Sequence, residues 1–264
     1  MQLARDGKKN QVFTNNLVFA QIRGAAWALA ILLSLGLESC AGASERFWQF
    51  GVDETLSEVV LPAEGAPRPG LIEADLDGDG ISEFVCLAES AVRIQAAPCE
   101  KTDPDAPRWQ SPQGWRVVQF GLADLDGSGV PEVSLLVWRP FEPWPIDRIL
   151  LHPGRIESHQ NADGMSCHVI LIGWRGGQFR EIWAGSALAD PLLALASADL
   201  DRDGRPELTA LESVYDAAPG DPARALTIWG WNGFGFDLLA RTGGRFYEMS
   251  VYETPGGAVY LMTR

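Results

Sequence analysis

The sequence predicts an all-β fold: a β-propeller-like array of about four to five four-stranded blades, in a small or incomplete ring. Three observations predict it. An acidic segment recurs as ADLDGDGISE (74–83), ADLDGSGVPE (123–132) and ADLDRDGRPE (198–207), each reading A-D-L-D-x-x-G-x-x-E. Short apolar runs flank every copy, and those that follow (FVCLAE, VSLLVW, LTALES) are too short for helices. A second pattern, HVILIGWRGGQFREIWAGS (168–186), aligns without a gap on ALTIWGWNGFGFDLLARTG (225–243), 57 residues on. It superposes Trp174 on Trp231, Gly176 on Gly233 and Phe179 on Phe236. This is a strand, a W-x-G-x-x-F turn and a second strand, hence a β-hairpin. The repeating unit is therefore acidic loop, strand, variable loop, W–F hairpin and next acidic loop, about four strands in all.

Residues 1–39 read as a leader. Arg5, Lys8, Lys9 and Arg23 precede an apolar run at 24–37, too short for a comfortable membrane span. The LESC that ends at Cys40 is similar to a bacterial lipoprotein signal, with Glu38 as a departure from the usual small or apolar residue. Lipidation of Cys40 would hold the chain to a membrane face by acyl chains rather than by a span. Cleavage after Ala41 or Ala43, giving a secreted or periplasmic protein, and an uncleaved anchor are the alternatives.

Residues 40–62 read as a tether and a first strand region, with one or two strands in FWQFGVDETLSEVVLP (47–62). Residues 63–264 read as the repeat domain. Within it, Cys86 and Cys99 flank an apparent hairpin; an exported chain permits a disulfide there, and two buried free thiols are the other reading. Residues 139–165, between the second and third acidic loops, read as an insertion. Trp138 at its start and Trp144 within it are candidates for an exposed contact surface; His152, His159 and His168 read as exposed loop histidines, with a transition-metal site beside Cys167 as the alternative. The last unit lacks an acidic loop; ETPGGAVYL takes its place. The strands near residues 47–61 are expected to pair with FYEMSVYE and AVYLMTR and so complete a blade.

The acidic loops point to a metal. Two carboxylates about 4 Å apart repel by about 4 kcal/mol at an effective dielectric near 20. A loop crowded with them is tolerable around a hard divalent cation, which takes six to eight oxygens from carboxylates and backbone carbonyls. Alternate positions 1, 3 and 5 turn to one centre, Gly at 6 permits the sharp turn, and a position-7 carbonyl with Glu at 9 closes the cage. An EF-hand is excluded: it needs Glu at position 12 and flanking helices, and here position 12 is Cys86, Leu135 or Ala210.

This repeated D-x-D-G-[DS]-G-x-x-E between short strands resembles the calcium loops of the FG-GAP or VCBS repeats, found in integrin-α-like propellers and bacterial surface proteins. The resemblance covers residues 71–264. It implies up to three Ca²⁺ ions. The ligands would be Asp75, Asp77, Asp79, the Ile81 carbonyl and Glu83; Asp124, Asp126, Ser128, the Val130 carbonyl and Glu132; and Asp199, Asp201, Asp203, the Arg205 carbonyl and Glu207. Glu stands where the family usually has Asp at position 9, and Ser128 makes the second site one charge poorer and so, by charge count, the weakest.

A net charge of −14 excludes a nucleic-acid binder, which needs a basic footprint. The sequence contains no G-x-S-x-G. These features predict a non-enzymatic exported module at the cell envelope that presents loops to a protein or glycan, with Ca²⁺ mainly structural. An envelope enzyme or accessory subunit acting on polysaccharide is the alternative, and a purely structural envelope component a third.

Overall fold

The computed structural model describes residues 44–60, 65–101, 107–142 and 159–264. Every regular element among them is a β-strand, and no helix there is long and apolar enough to cross a membrane. Strands β1 (Arg46–Phe50), β2 (Leu56–Val59) and the short β3 (Ala66–Pro67) come first. Blade 1 holds β4 (Glu73–Ala74), β5 (Glu83–Ala88), β6 (Ala91–Gln95) and β7 (Trp109–Gln110). Blade 2 holds β8 (Arg116–Ala123), β9 (Glu132–Pro140), β10 (Met165–Arg175) and β11 (Gln178–Ala184). Blade 3 holds β12 (Leu192–Ala198), β13 (Glu207–Glu212), β14 (Ala223–Trp231) and β15 (Phe236–Phe246). Then β16 (Met249–Glu253) and β17 (Val259–Thr263) join β1, β2 and β3 in the order β2-β1-β17-β16-β3. The four antiparallel sheets stand in a ring like a four-bladed propeller.

Burial explains the apolar runs. The middle strands of blades 2 and 3 are covered on both faces by neighbouring sheets, so they read as continuous hydrophobic stretches rather than as alternation. Along β9, Val133, Leu135 and Val137 enter the core shared with blade 1, and Leu136 enters the core shared with blade 3. On β10, Ile170 and Ile172 face blade 1, whereas Cys167 and Val169 face blade 3. The outermost strands β11 and β15 are only part-buried. A third core joins blade 3 to the terminal blade through Leu211, Leu226, Ile228 and Phe246 with Trp48, Phe50, Val251 and Leu261. Among the described residues no buried cluster of this kind joins the terminal blade to blade 1; β3, which precedes blade 1 in the chain, pairs with β16 at the edge of the terminal sheet.

The expected pairing of the two ends is present. β1 runs antiparallel to β17, with Trp48 opposite Leu261, and Trp48 Nε1 donates to Thr263 Oγ1 at 2.9 Å in a buried site. Arg264 adds an ion pair to Glu45 at 2.8 Å. Strands β1 and β2 thus belong to the same ring as the repeats, and the number of blades is four. Cys86 and Cys99 form a disulfide, and Cys167 is a buried free thiol. A bridge closing so short a loop constrains the unfolded chain by about 3 kcal/mol.

The insertion leaves the β9–β10 hairpin, where the Phe141 amide donates to the Gly164 carbonyl at 2.8 Å. Trp144, His152 and most of residues 139–165 lie outside the described residues, as does Cys40. Trp138 is not an open contact surface: its ring packs edge-on against Tyr215 at 5.7 Å, with Arg116 over it. The histidines also correct the exposed-loop reading. His168 lies on β10, buried, with Nε2 at 2.8 Å from Ser166 Oγ and Nδ1 at 2.9 Å from the Gly185 carbonyl. His159 is part-buried against the Ala187 carbonyl at 3.3 Å. Burial lowers the His168 pKa to about 4, which keeps the ring neutral at physiological pH.

Candidate metal centres

Each acidic segment is the turn between the first and second strands of its blade. The register is the same three times: Ala74 faces Glu83, Ala123 faces Glu132 and Ala198 faces Glu207. The leucine of A-D-L-D is a buried anchor in each (Leu76, Leu125 and Leu200), and its amide donates to the last Glu of its own loop. The Leu76–Glu83, Leu125–Glu132 and Leu200–Glu207 distances are 2.9, 2.9 and 2.8 Å. Glu at position 9 is thus a buried brace for the turn, with one oxygen engaged by the backbone.

The first Asp gathers the amides of the turn. Asp75 accepts from Gly78 at 2.8 Å, Asp79 at 3.1 Å and Gly80 at 2.8 Å. Asp124 accepts from Ser128 at 2.9 Å and Gly129 at 2.8 Å. Asp199 accepts from Gly204 at 3.1 Å. The amides of Asp79, Ser128 and Asp203 meet the position-3 oxygens of Asp77, Asp126 and Asp201 at 3.1, 2.9 and 3.0 Å.

Position 4 has a positive φ in all three: Gly78 at 78°, Gly127 at 72° and Arg202 at 67°. An L side chain in that region is strained by about 1 kcal/mol. Arg202→Gly is therefore expected to raise the melting temperature by roughly 2–4 °C, the shift of about 1 kcal/mol in a domain of this size. A lowered melting temperature in calorimetry would show that the Arg202 side chain itself supports the loop.

Carboxylate oxygens of Asp75, Asp77 and Glu83 lie within 4.8 Å of one another, as do those of Asp124, Asp126 and Glu132, and those of Asp199, Asp201 and Asp203. Asp79 and Glu207 stand outside these triads. Asp79 Oδ1 instead accepts the Ile81 amide at 2.8 Å, and Glu207 braces Leu200. Asp203 Oδ1 likewise accepts the Arg205 amide at 2.7 Å, and Ser128 Oγ lies 3.2 Å from the Val130 carbonyl. Two residues that loop spacing does not reveal complete the setting. Arg108 pairs with both Asp77 and Glu83, and Arg175 Nη2 donates to Asp126 Oδ2 at 2.6 Å. Neither belongs to the repeated motif; Arg175 occupies the variable position of the W-x-G turn.

Burial raises the pKa of Glu132 and of Glu207 to about 7, reinforced by Asp126 in one loop and by Asp201 and Asp199 in the other. Burial raises Glu83 as well, with Arg108 opposing the shift. A carboxyl whose folded pKa exceeds its unfolded value stabilises the fold below the unfolded pKa, and that stability is lost as pH rises through the folded pKa. In chelator the loss falls between about pH 4.5 and 7 and amounts to a few kcal/mol. A divalent cation such as calcium, held beside these groups, would replace the proton. The calcium-dependent rise in melting temperature is therefore expected to be larger at pH 7.5 than at pH 5, with proton release on binding near pH 6.5. Equal calorimetric shifts at both pH values would mean that the buried glutamates do not sense the ion.

The donor set is all oxygen, which suits a hard cation such as Ca²⁺ and not a soft one. Asp199 Oδ1 is buried with no hydrogen-bond partner, an acceptor that a cation could engage. No family model, no curated protein and no solved structure matches this chain.

Proposed function

We propose that the protein is an exported, calcium-stabilised propeller module of the FG-GAP or VCBS type, which presents loops to a protein or glycan partner at the cell envelope. The observation that carries this reading is the threefold recurrence of one loop geometry at one strand register, each copy closing a carboxylate triad. The ions would be held by the triads, with the Asp199 triad completed at its unpartnered oxygen, and their role is to let the innermost hairpins keep a crowded charge. The Cys86–Cys99 disulfide favours an oxidising compartment, in keeping with the leader at residues 1–39 and an acyl anchor on Cys40.

Titration calorimetry with Ca²⁺ tests the metal. Asp201→Ala is expected to lower the stoichiometry by one, and an unchanged stoichiometry would show that the third loop is not a site. The partner is tested by capture from a cell-envelope extract with and without residues 141–164, scored against purified surface glycan as competitor.

A further inference from the structure

The three acidic loops share a backbone but not their surroundings. In the first, Arg108 pairs with both Asp77 and Glu83. Its guanidinium also lies over the rings of Trp174 and Phe179 of blade 2, at 5.2 and 5.4 Å. In the second, Arg175 pairs with Asp126 alone. In the third, the residue that aligns with Arg175 is Asn232, and its amide turns to Asp237 at 2.9 Å. Among the described residues no Lys or Arg nitrogen lies within 4.0 Å of a carboxylate oxygen of Asp199, Asp201, Asp203 or Glu207. Arg202 and Arg205 belong to that loop, but both are exposed. Water and salt therefore screen them, unlike a guanidinium in contact with its carboxylate. Asp199 Oδ1 is the one buried carboxylate oxygen without a hydrogen-bond partner among the described residues.

Resting on the calcium reading above, we infer that Arg108 and Arg175 are built-in counter-ions that set the order in which the loops take calcium. The third loop fills first, because no guanidinium pairs with its carboxylates and one oxygen already lacks a partner. The second fills next, after Arg175 gives up a single carboxylate. The first fills last, although Ser128 leaves the second loop one carboxylate poorer, because Arg108 must leave two carboxylates and its place against Trp174 and Phe179 holds it there. Occupying the first loop therefore loosens a contact between blades 1 and 2, whereas occupying the third disturbs no ion pair.

The amides of Gly80, Gly129 and Gly204 report the loops one by one, since each donates to the first Asp of its own loop. Two-dimensional NMR of the full chain, titrated with Ca²⁺, is expected to shift Gly204 at a concentration about ten-fold or more below Gly129, with Gly80 last. Arg175→Gln is expected to move the Gly129 midpoint about ten-fold lower and to leave Gly204 unchanged; Arg108→Gln does the same for Gly80. Should either variant fail to fold, the order in the unaltered chain still decides the matter. A common midpoint for the three amides, a first shift at Gly80, or no tightening in folded arginine variants overturns the inference while leaving calcium binding intact. No shift of any amide up to about 10 mM Ca²⁺ removes the calcium reading itself, and this inference with it.

Discussion

A chain lacking residues 44–60 is expected to lose its cooperative thermal transition. Those residues supply β1 and β2, two strands of the terminal sheet, and Trp48 and Phe50 of the core shared with blade 3. Trp48 alone shows the scale. Truncating a buried Trp to Ala costs about 3–5 kcal/mol. Leaving Thr263 Oγ1 without its 2.9 Å indole partner in a buried site adds about 1–3 kcal/mol. Against a total stability of about 5–15 kcal/mol for a native domain, Trp48→Ala leaves the ring marginal and the full deletion leaves it open. Trp48→Phe keeps most of the apolar contact and is expected to cost only about 1–3 kcal/mol, chiefly the indole hydrogen bond. Calorimetry checks the series. A deletion variant that melts cooperatively within a few degrees of the intact chain would show that the terminal blade is dispensable and the ring closure incidental.

Chelation is the second large effect. Extracellular calcium modules bind with Kd of about 10⁻⁴ to 10⁻³ M. At an ion concentration about 100 times Kd, one site adds about 2.7 kcal/mol of stability. In a domain of this size that corresponds to roughly 5–10 °C in melting temperature per site. At about 10 mM Ca²⁺, roughly 10 to 100 times Kd, moving the protein at pH 7.5 into excess chelator is therefore expected to lower the melting temperature by roughly 3–10 °C for one filled loop, and by more if further loops are filled. Mg²⁺ is expected to substitute poorly, because it keeps its water and demands octahedral geometry. A melting temperature indifferent to both ions would leave the carboxylate triads as acidic turns braced by amides and arginines.

The features legible in the sequence are those built from neighbours along the chain. The A-D-L-D segment shows where each innermost strand turns, because its first Asp meets amides three to five residues on and its Leu amide meets a Glu seven residues on. The W-x-G-x-x-F pattern shows a hairpin because Trp174 and Phe179 face each other across it, 4.9 Å apart, as Trp231 and Phe236 do at 5.1 Å. The replacement of an acidic loop by residues 254–258 marks the terminal blade, whose β16–β17 turn occupies the same place in its sheet.

The rest came from pairs with no common spacing. Nothing near Arg108 announces Asp77, 31 residues before it, and Arg175 meets Asp126 across 49. His168 is buried because β10 is the third strand of a covered sheet, although its neighbours on the chain look like the edge of an insertion. Asp79 and Glu207 fit the ligand spacing as well as their equivalents do, and make the same backbone hydrogen bonds as Asp203, Glu83 and Glu132, yet stand outside the triads. By itself the sequence determined the strands, the acidic turns and the joining of the two ends, all of which follow from local hydrogen bonding and repeated patterns. Only the tertiary structure decided that four blades suffice and which carboxylates face one another and which face an arginine. Those outcomes depend on how sheets pack across the ring, where distance along the chain carries no information.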